Sequence, residues 1–106
     1  MTSREDVITN MSKKKETSFK EQVQLDIKKL KQCWGFKTDE KARRGIPDII
    51  LSLHGRFVAI ELKTDEGEPD PLQTLTIEKI RATDAIAFIT QPSLWKEHYK
   101  LLESVR

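Results

Sequence analysis

Two β-rich runs joined by a two-residue turn constrain the fold of this chain most. The runs are IPDIILSL at residues 46–53 and RFVAIELK at residues 56–63, and His54-Gly55 lies between them. A glycine-containing pair between two such runs is a strong signal for a tight β-hairpin. In a two-residue hairpin Leu53 pairs with Arg56, and every other cross-strand pair follows from that one.

This register brings charged side chains together at the open end of the hairpin. It places Asp48 opposite Glu61, with Cβ atoms about 4.5–5.5 Å apart. Glu61 and Lys63 share a face because side chains alternate along a strand. Like charges directly opposite each other destabilise a sheet, whereas two carboxylates and waters suit Mg²⁺ or Mn²⁺. The register therefore predicts a metal site; the alternative is a turn acid beside an exposed polar strand end.

The length of the chain suits one small domain. Its 106 residues can enclose one hydrophobic core. Residues 1–15 are polar and end in a run of lysines, so we expect a disordered basic tail there and a single domain over residues 16–106.

The other elements follow from periodicity and from turn residues. We expect a helix from Thr17 to Gln32, an edge strand at 34–38, a basic loop at 39–45, a second helix opening at Asp70-Pro71, a strand at 85–90 and a last helix opening at Pro92-Ser93. The third strand, the second helix and the fourth strand form a β-α-β crossover, so these two strands should be parallel. The predicted fold is an α/β domain of order α-β-β-β-α-β-α, with a mixed sheet flanked by helices.

Apolar positions on these elements predict the core. The expected core residues are Phe19, Val23, Ile27, Leu30, Trp34, Phe36, Leu72, Leu75, Thr76, Ile80, Leu94, Leu101, Leu102 and Val105. For Trp34 and Phe36, which lie among basic residues, stacking on nucleic-acid bases is the alternative. Cys33 is expected to pack in the fold and not to act as a nucleophile.

Charge and composition exclude several protein classes. Seven basic residues lie between Lys28 and Arg44, while five acids and one base lie between Glu61 and Asp70. This segregation suits a polyanion held beside a cation site, although a solvated face is the alternative. The single cysteine excludes an internal disulfide and a multi-cysteine zinc site. Without a signal-peptide pattern or a membrane-length apolar run, we expect a cytoplasmic protein with no membrane partner.

Three short motifs resemble a known nuclease superfamily. GIPDII, GRFVAIELK and the following PLQ are similar to the motifs of PD-(D/E)xK nucleases. They are more similar still to the virus-type replication-repair nuclease (VRR-NUC) domain in its small stand-alone phage form. The resemblance spans residues 16–99 and implies a restriction-endonuclease-like core, Mg²⁺- or Mn²⁺-dependent hydrolysis of DNA phosphodiesters, and a phage-encoded protein acting in the host cell.

The resemblance also implies roles for individual residues. Asp48 and Glu61 match the metal ligands, and the backbone carbonyl of Leu62, or that of Ile60, would be a further ligand. Lys63 matches the lysine that orients or activates the attacking water.

Residues outside the hairpin complete the implied site. Gln73 matches the motif glutamine, and a capping partner for Asp70 is a compatible alternative. A helix glutamate would add a ligand, and Glu16 is preferred to Glu21 because helical spacing places it on the stripe facing the sheet. The residues expected to hold DNA phosphates are Lys37, Lys41, Arg43 and Arg44, with a solubilising loop as the alternative.

The stand-alone domains that this chain resembles are associated with branched DNA. The resemblance therefore implies a four-way (Holliday) junction resolvase, which as a homodimer would offer two active sites for paired nicks. A nicking, flap or duplex endonuclease is one alternative, and a DNA-binding module without catalysis is another. The intact trio of Asp48, Glu61 and Lys63 argues against the second alternative.

Overall fold

The predicted hairpin lies at the centre of a four-stranded sheet. The computed structural model describes residues 15–39, 45–68 and 70–106, and the side chains from residue 18 onward within these ranges. The elements in chain order are α1 (Lys15–Lys28), β1 (Cys33–Lys37), β2 (Ile49–Leu53), β3 (Arg56–Leu62), α2 (Pro71–Arg81), β4 (Ile86–Thr90) and α3 (Pro92–Glu103). The protein is thus a small α/β domain. The expected basic tail, except Lys15, lies outside the described residues.

The sheet is mixed and has the spatial order β1-β2-β3-β4. β2 pairs with β3 in antiparallel fashion, with Leu53 opposite Arg56 and Ile49 opposite Ile60. The turn residues His54 and Gly55 have φ values of 51° and 80°, as a two-residue hairpin with positive φ at both positions requires. β3 and β4 are parallel, so the predicted hairpin register and the predicted crossover are both confirmed.

Helices cover the two faces of the sheet unequally. On one face, α1 and α3 enclose the main core, in which Val23, Leu53, Ile60, Phe88 and Leu102 are almost completely buried. On the other face, α2 buries a smaller cluster. Since one helix cannot span four strands, the described part of the chain leaves some of this second face uncovered.

The first helix ends earlier than its periodicity predicts. α1 ends at Lys28, and the following residues turn, with Gln32 at a φ of 51°. The carbonyl of Gln32 accepts a 2.8 Å hydrogen bond from the N–H of His54. This bond fixes the entry into β1, and Trp34 therefore lies on the sheet and is not part of the helical stripe; it is 72% exposed.

The predicted core of α2 is partly wrong. Ile77 is the buried residue of this helix, whereas Leu72 and Leu75 are 38% and 45% exposed. Asp70 is the N-cap, as predicted, and its carboxylate accepts the Leu72 N–H at 2.8 Å. The stripe that packs on the sheet runs through Ile77 and Ile80, and the exposed leucines lie off it at about 100° per residue.

The predicted core of the last helix, α3, is also partly wrong. Leu102 and Val105 are buried as predicted, but Leu94 and Leu101 are 43% and 50% exposed. Trp95 is buried in place of Leu94 and donates its Nε1–H to Asp26 Oδ2 at 2.8 Å. None of the described helices is long and apolar enough to cross a membrane.

Candidate metal and nucleic-acid site

A cleft of about 270 Å³ opens at the end of the hairpin where β3 leaves the sheet. Asp48, Glu61, Lys63 and Gln73 all line it. The structure therefore brings together these four side chains, which the sequence placed at the site. Five further lining residues were not predicted to belong to it: Phe19, Lys20, Thr64, Gly67 and Glu68.

Asp48 is held from several directions just before β2. Its side chain is 2% exposed, and its Oδ2 accepts the backbone N–H of Leu62 at 2.8 Å. Its carbonyl accepts the N–H of Thr38 at 2.8 Å, and the Thr38 hydroxyl donates to the carbonyl of Pro47 at 2.6 Å. These bonds fix both the backbone and the carboxylate, so Asp48 enters the cleft in one orientation.

Glu61 is the more deeply buried acid of the pair. It is 1% exposed, near the end of β3, and continuation of the hairpin register by one residue beyond Ile49 and Ile60 places it opposite Asp48. Oδ1 of Asp48 and Oε2 of Glu61 are buried oxygens that accept no hydrogen bond, although both residues make other interactions. Two carboxyl groups buried beside each other repel when both are ionised, although the cleft that they line also contains Lys20 and Lys63.

Lys63 is fixed at its backbone by the neighbouring parallel strand. Its N–H donates to the carbonyl of Thr90 at 2.9 Å, which extends the β3–β4 pairing by one residue. The side chain is half-buried and lines the cleft. A cationic side chain therefore lines the same cleft as the two carboxyl groups.

Gln73 reaches the cleft because it lies on the buried stripe of α2. It is one helical turn before Ile77, so both side chains face the sheet. Its Oε1 is buried and accepts no hydrogen bond. An amide oxygen in this state is a suitable ligand or water-binding group.

The donor set of the cleft fits a hard divalent cation. Two carboxylates and an amide oxygen are the ligand types that Mg²⁺ and Mn²⁺ prefer, and waters can complete the shell. Among the described side chains, no three His, Cys, Asp or Glu residues form a metal-binding group. A third acid, Glu68, lines the cleft but is exposed. Of the two predicted helix acids, Glu16 lies in the first turn of α1 with its side chain outside the description, and Glu21 is exposed.

The remaining predicted residues are placed as follows. Leu62 donates its N–H to Asp48, and the role of its carbonyl as a metal ligand stays a prediction. Lys37 is exposed at the end of β1. The loop residues Lys41, Arg43 and Arg44 lie outside the described residues.

His98 contacts β4, the strand whose Thr90 carbonyl accepts the N–H of Lys63. His98 Nδ1 lies 2.8 Å from Oγ1 of Thr90, a residue with 0% exposure, and the imidazole stacks on Phe88 at a ring-centroid distance of 4.3 Å. Burial, and secondarily the charge of Arg81, lowers the pKa of His98. The sequence analysis did not predict this contact between His98 and Thr90. A signal for it was available, because Thr90 is a polar residue at the end of a buried apolar strand.

Comparisons of the chain with protein-family models, with curated proteins and with solved structures found no match.

Proposed function

We propose that this protein is a metal-dependent DNA endonuclease of the VRR-NUC type, within the PD-(D/E)xK superfamily. The observation that carries the proposal is the pair of buried acids, Asp48 and Glu61, that line one cleft together with Lys63 and Gln73. Burial of like charges side by side costs stability, and a bound cation would remove that cost. The mixed sheet with α2 as crossover is compatible with a restriction-endonuclease-like core.

The predicted site residues of the cleft each have a role in the proposed hydrolysis. Asp48 and Glu61 would hold Mg²⁺ or Mn²⁺, with Gln73 as a ligand or through a water. The cation, when bound, supplies Lewis-acid polarisation of a phosphoryl oxygen and a more acidic water. The hydrogen bond from Leu62 keeps the carboxylate of Asp48 oriented. The Lys63 ammonium lies where negative charge develops and orients the attacking water.

The test of this activity is cleavage of defined DNA substrates. Purified protein is incubated with linear duplex, flap and four-way-junction DNA in EDTA, in Mg²⁺ and in Mn²⁺. We expect cleavage in either metal and none in EDTA. Cleavage in EDTA equal to that in Mg²⁺ would contradict the proposal, and binding without cleavage in any metal would favour a DNA-binding module.

The more specific form of the proposal is a homodimeric four-way-junction resolvase in the cytoplasm of a phage-infected host. Two symmetry-related clefts would cut two strands of one junction. Sedimentation should then show a species of twice the 12.3 kDa chain mass at micromolar concentration, and junctions should be cut by symmetric nicks in preference to duplex. A monomer that cuts duplex and junction equally would instead indicate a nicking or duplex endonuclease.

A further inference from the structure

Three aromatic side chains are exposed on the face of the sheet that α2 only partly covers. Trp34 and Phe36 on β1 are 72% and 53% exposed, and Phe57 on β3 is 46% exposed. We call these three residues the aromatic face. Exposed aromatic residues clustered on one sheet face are uncommon unless the face binds something.

Strand register shows that the three side chains share one face. Trp34 pairs with Ser52, which pairs with Phe57, so these residues form one row across three strands. Phe36 lies two residues farther along β1 and therefore faces the same side as Trp34. Their ring centroids are 5.8 Å apart, in an edge-to-face arrangement.

The aromatic face lies on the same side of the sheet as Glu61 of the cleft. Phe36 pairs with Ile50, which pairs with Ala59, and Glu61 lies two residues beyond Ala59 on the same face. Two residues along a strand span about 6.6 Å. Phe36 also lies two strands away from Glu61, so the two residues are about 12 Å apart, which a nucleic-acid strand spans in about two nucleotides, and Trp34 lies farther along β1.

The cover that α2 provides stops short of β1. Its buried residue Ile77 packs with Ala59 and Ala87, on β3 and β4, and Ile50 on β2 lies at the border of that cluster. In the described part of the chain, Trp34 and Phe36 therefore keep most of their surface exposed to solvent.

The charges around β1 favour a polyanion as the occupant. Lys28, Lys29, Lys31 and Lys37 are exposed and lie immediately before the strand or at its end. Because side chains alternate along β1, Lys37 points to the opposite face from Phe36, so these lysines border the aromatic face at the edge of the sheet and do not lie on it. A nucleic-acid strand offers phosphates to the lysines and base planes to the rings.

We propose that the aromatic face stacks unpaired bases of a DNA strand that has a phosphate, about two nucleotides away, in the cleft. This inference rests on the proposed nuclease function and specifies its substrate as DNA with a single-stranded or unstacked segment. Trp34 and Phe36 would each stack on one base, as aromatic residues on four-stranded sheets do in other nucleic-acid-binding modules. Paired bases cannot present their faces in this way.

The test measures binding separately from cleavage. A fluorescent 12-nucleotide oligothymidylate and a 12-base-pair duplex are titrated with protein in EDTA, and anisotropy reports affinity. We expect Phe36→Ala to weaken binding of the single strand about tenfold, whereas Phe36→Tyr, which keeps the ring, should bind like wild type. The matched control is Leu94→Ala, which removes an exposed apolar side chain from α3 and should leave binding unchanged.

Intrinsic fluorescence adds a local readout. Trp34 is exposed and Trp95 is buried, so quenching by the oligonucleotide should be large in wild type and nearly absent in Trp34→Phe. Unchanged affinity in Phe36→Ala, or no binding of the single strand by wild type, would overturn the inference. So would a dimer that Phe36→Ala dissociates while its DNA affinity stays intact.

The two proposals can fail separately. Binding that depends on Phe36 without cleavage in Mg²⁺ would refute the nuclease function and support the aromatic face as a DNA site. Cleavage in Mg²⁺ with no effect of Phe36→Ala on binding would support the nuclease function and refute the role of the aromatic face.

Discussion

Replacement of Glu61 by glutamine should stabilise the protein in the absence of metal. Glu61 and Asp48 are 1% and 2% exposed and face each other in the continued hairpin register. Two unit charges about 5 Å apart repel by about 3 kcal/mol at an effective dielectric constant of 20. Other interactions of the two residues offset part of this repulsion, so we expect Glu61→Gln to raise the free energy of unfolding by about 1 kcal/mol.

The same substitution should remove the stabilisation by Mg²⁺. At a magnesium concentration ten times the dissociation constant, binding stabilises the native state by about 1.4 kcal/mol. In a domain of this size, each 1 kcal/mol shifts the melting temperature by about 4–8 °C. Wild type should therefore melt higher in Mg²⁺ than in EDTA, whereas Glu61→Gln should melt at one temperature in both.

Differential scanning calorimetry of four samples, wild type and Glu61→Gln in EDTA and in Mg²⁺, measures both effects. The matched control is Glu68→Gln, because Glu68 lines the same cleft but is exposed; it should melt like wild type in both buffers. A lower melting temperature of Glu61→Gln in EDTA, together with an undiminished magnesium shift, would refute the reasoning and show that Glu61 is a structural acid.

Three further substitutions test other parts of the account. Glu16→Ala should slow cleavage at least about tenfold, equivalent to about 1.4 kcal/mol of barrier, while Glu21→Ala should cleave like wild type; the reverse result in a single-turnover assay would make Glu21 the helix ligand. Asp70→Ala removes the bond to the Leu72 N–H and should cost about 1 kcal/mol in urea unfolding without changing the magnesium shift; an unchanged unfolding midpoint would show that the cap contributes nothing. Because burial, and secondarily Arg81, lowers the pKa of His98, the unfolded chain binds more protons than the folded one as the pH falls, so stability is full above about pH 6.5 and declines below it. In His98→Gln the fall in melting temperature between pH 8 and pH 5 should be smaller, and an equal fall would contradict this assignment.

The hairpin and its site were predictable because local chemistry determines them. Only a glycine-containing pair with positive φ could join the two runs tightly, and that turn determines the pairing of every residue behind it, including the approach of Asp48 to Glu61. The start of α2 was equally local, since Asp70 caps the helix with its own side chain. The position of Gln73 in the cleft follows from its spacing to Ile77 on this helix.

The exposure of the aromatic face was not predictable in the same way. The apolar character of Trp34 and Phe36 indicates burial, but burial on an edge strand depends on how far a helix extends across the sheet. α2 covers β3 and β4 and leaves β1 open, which is a property of packing and not of the WGFKT sequence. Trp95 is buried in place of the predicted Leu94 for a related reason. A rotation of α3 by one residue decides which of these two adjacent apolar side chains faces the core.

The central claim is that the cleft at the end of the hairpin cleaves DNA by means of a bound divalent cation. The most direct measurement is the single-turnover cleavage rate of Asp48→Asn in Mg²⁺, compared with wild type and with Glu68→Gln on the same junction and duplex substrates. Asp48→Asn keeps the size of the side chain and an oxygen that can accept the Leu62 N–H, but it loses the negative charge. The account predicts rapid cleavage by wild type and Glu68→Gln and none above background by Asp48→Asn; cleavage by Asp48→Asn at the wild-type rate would contradict it.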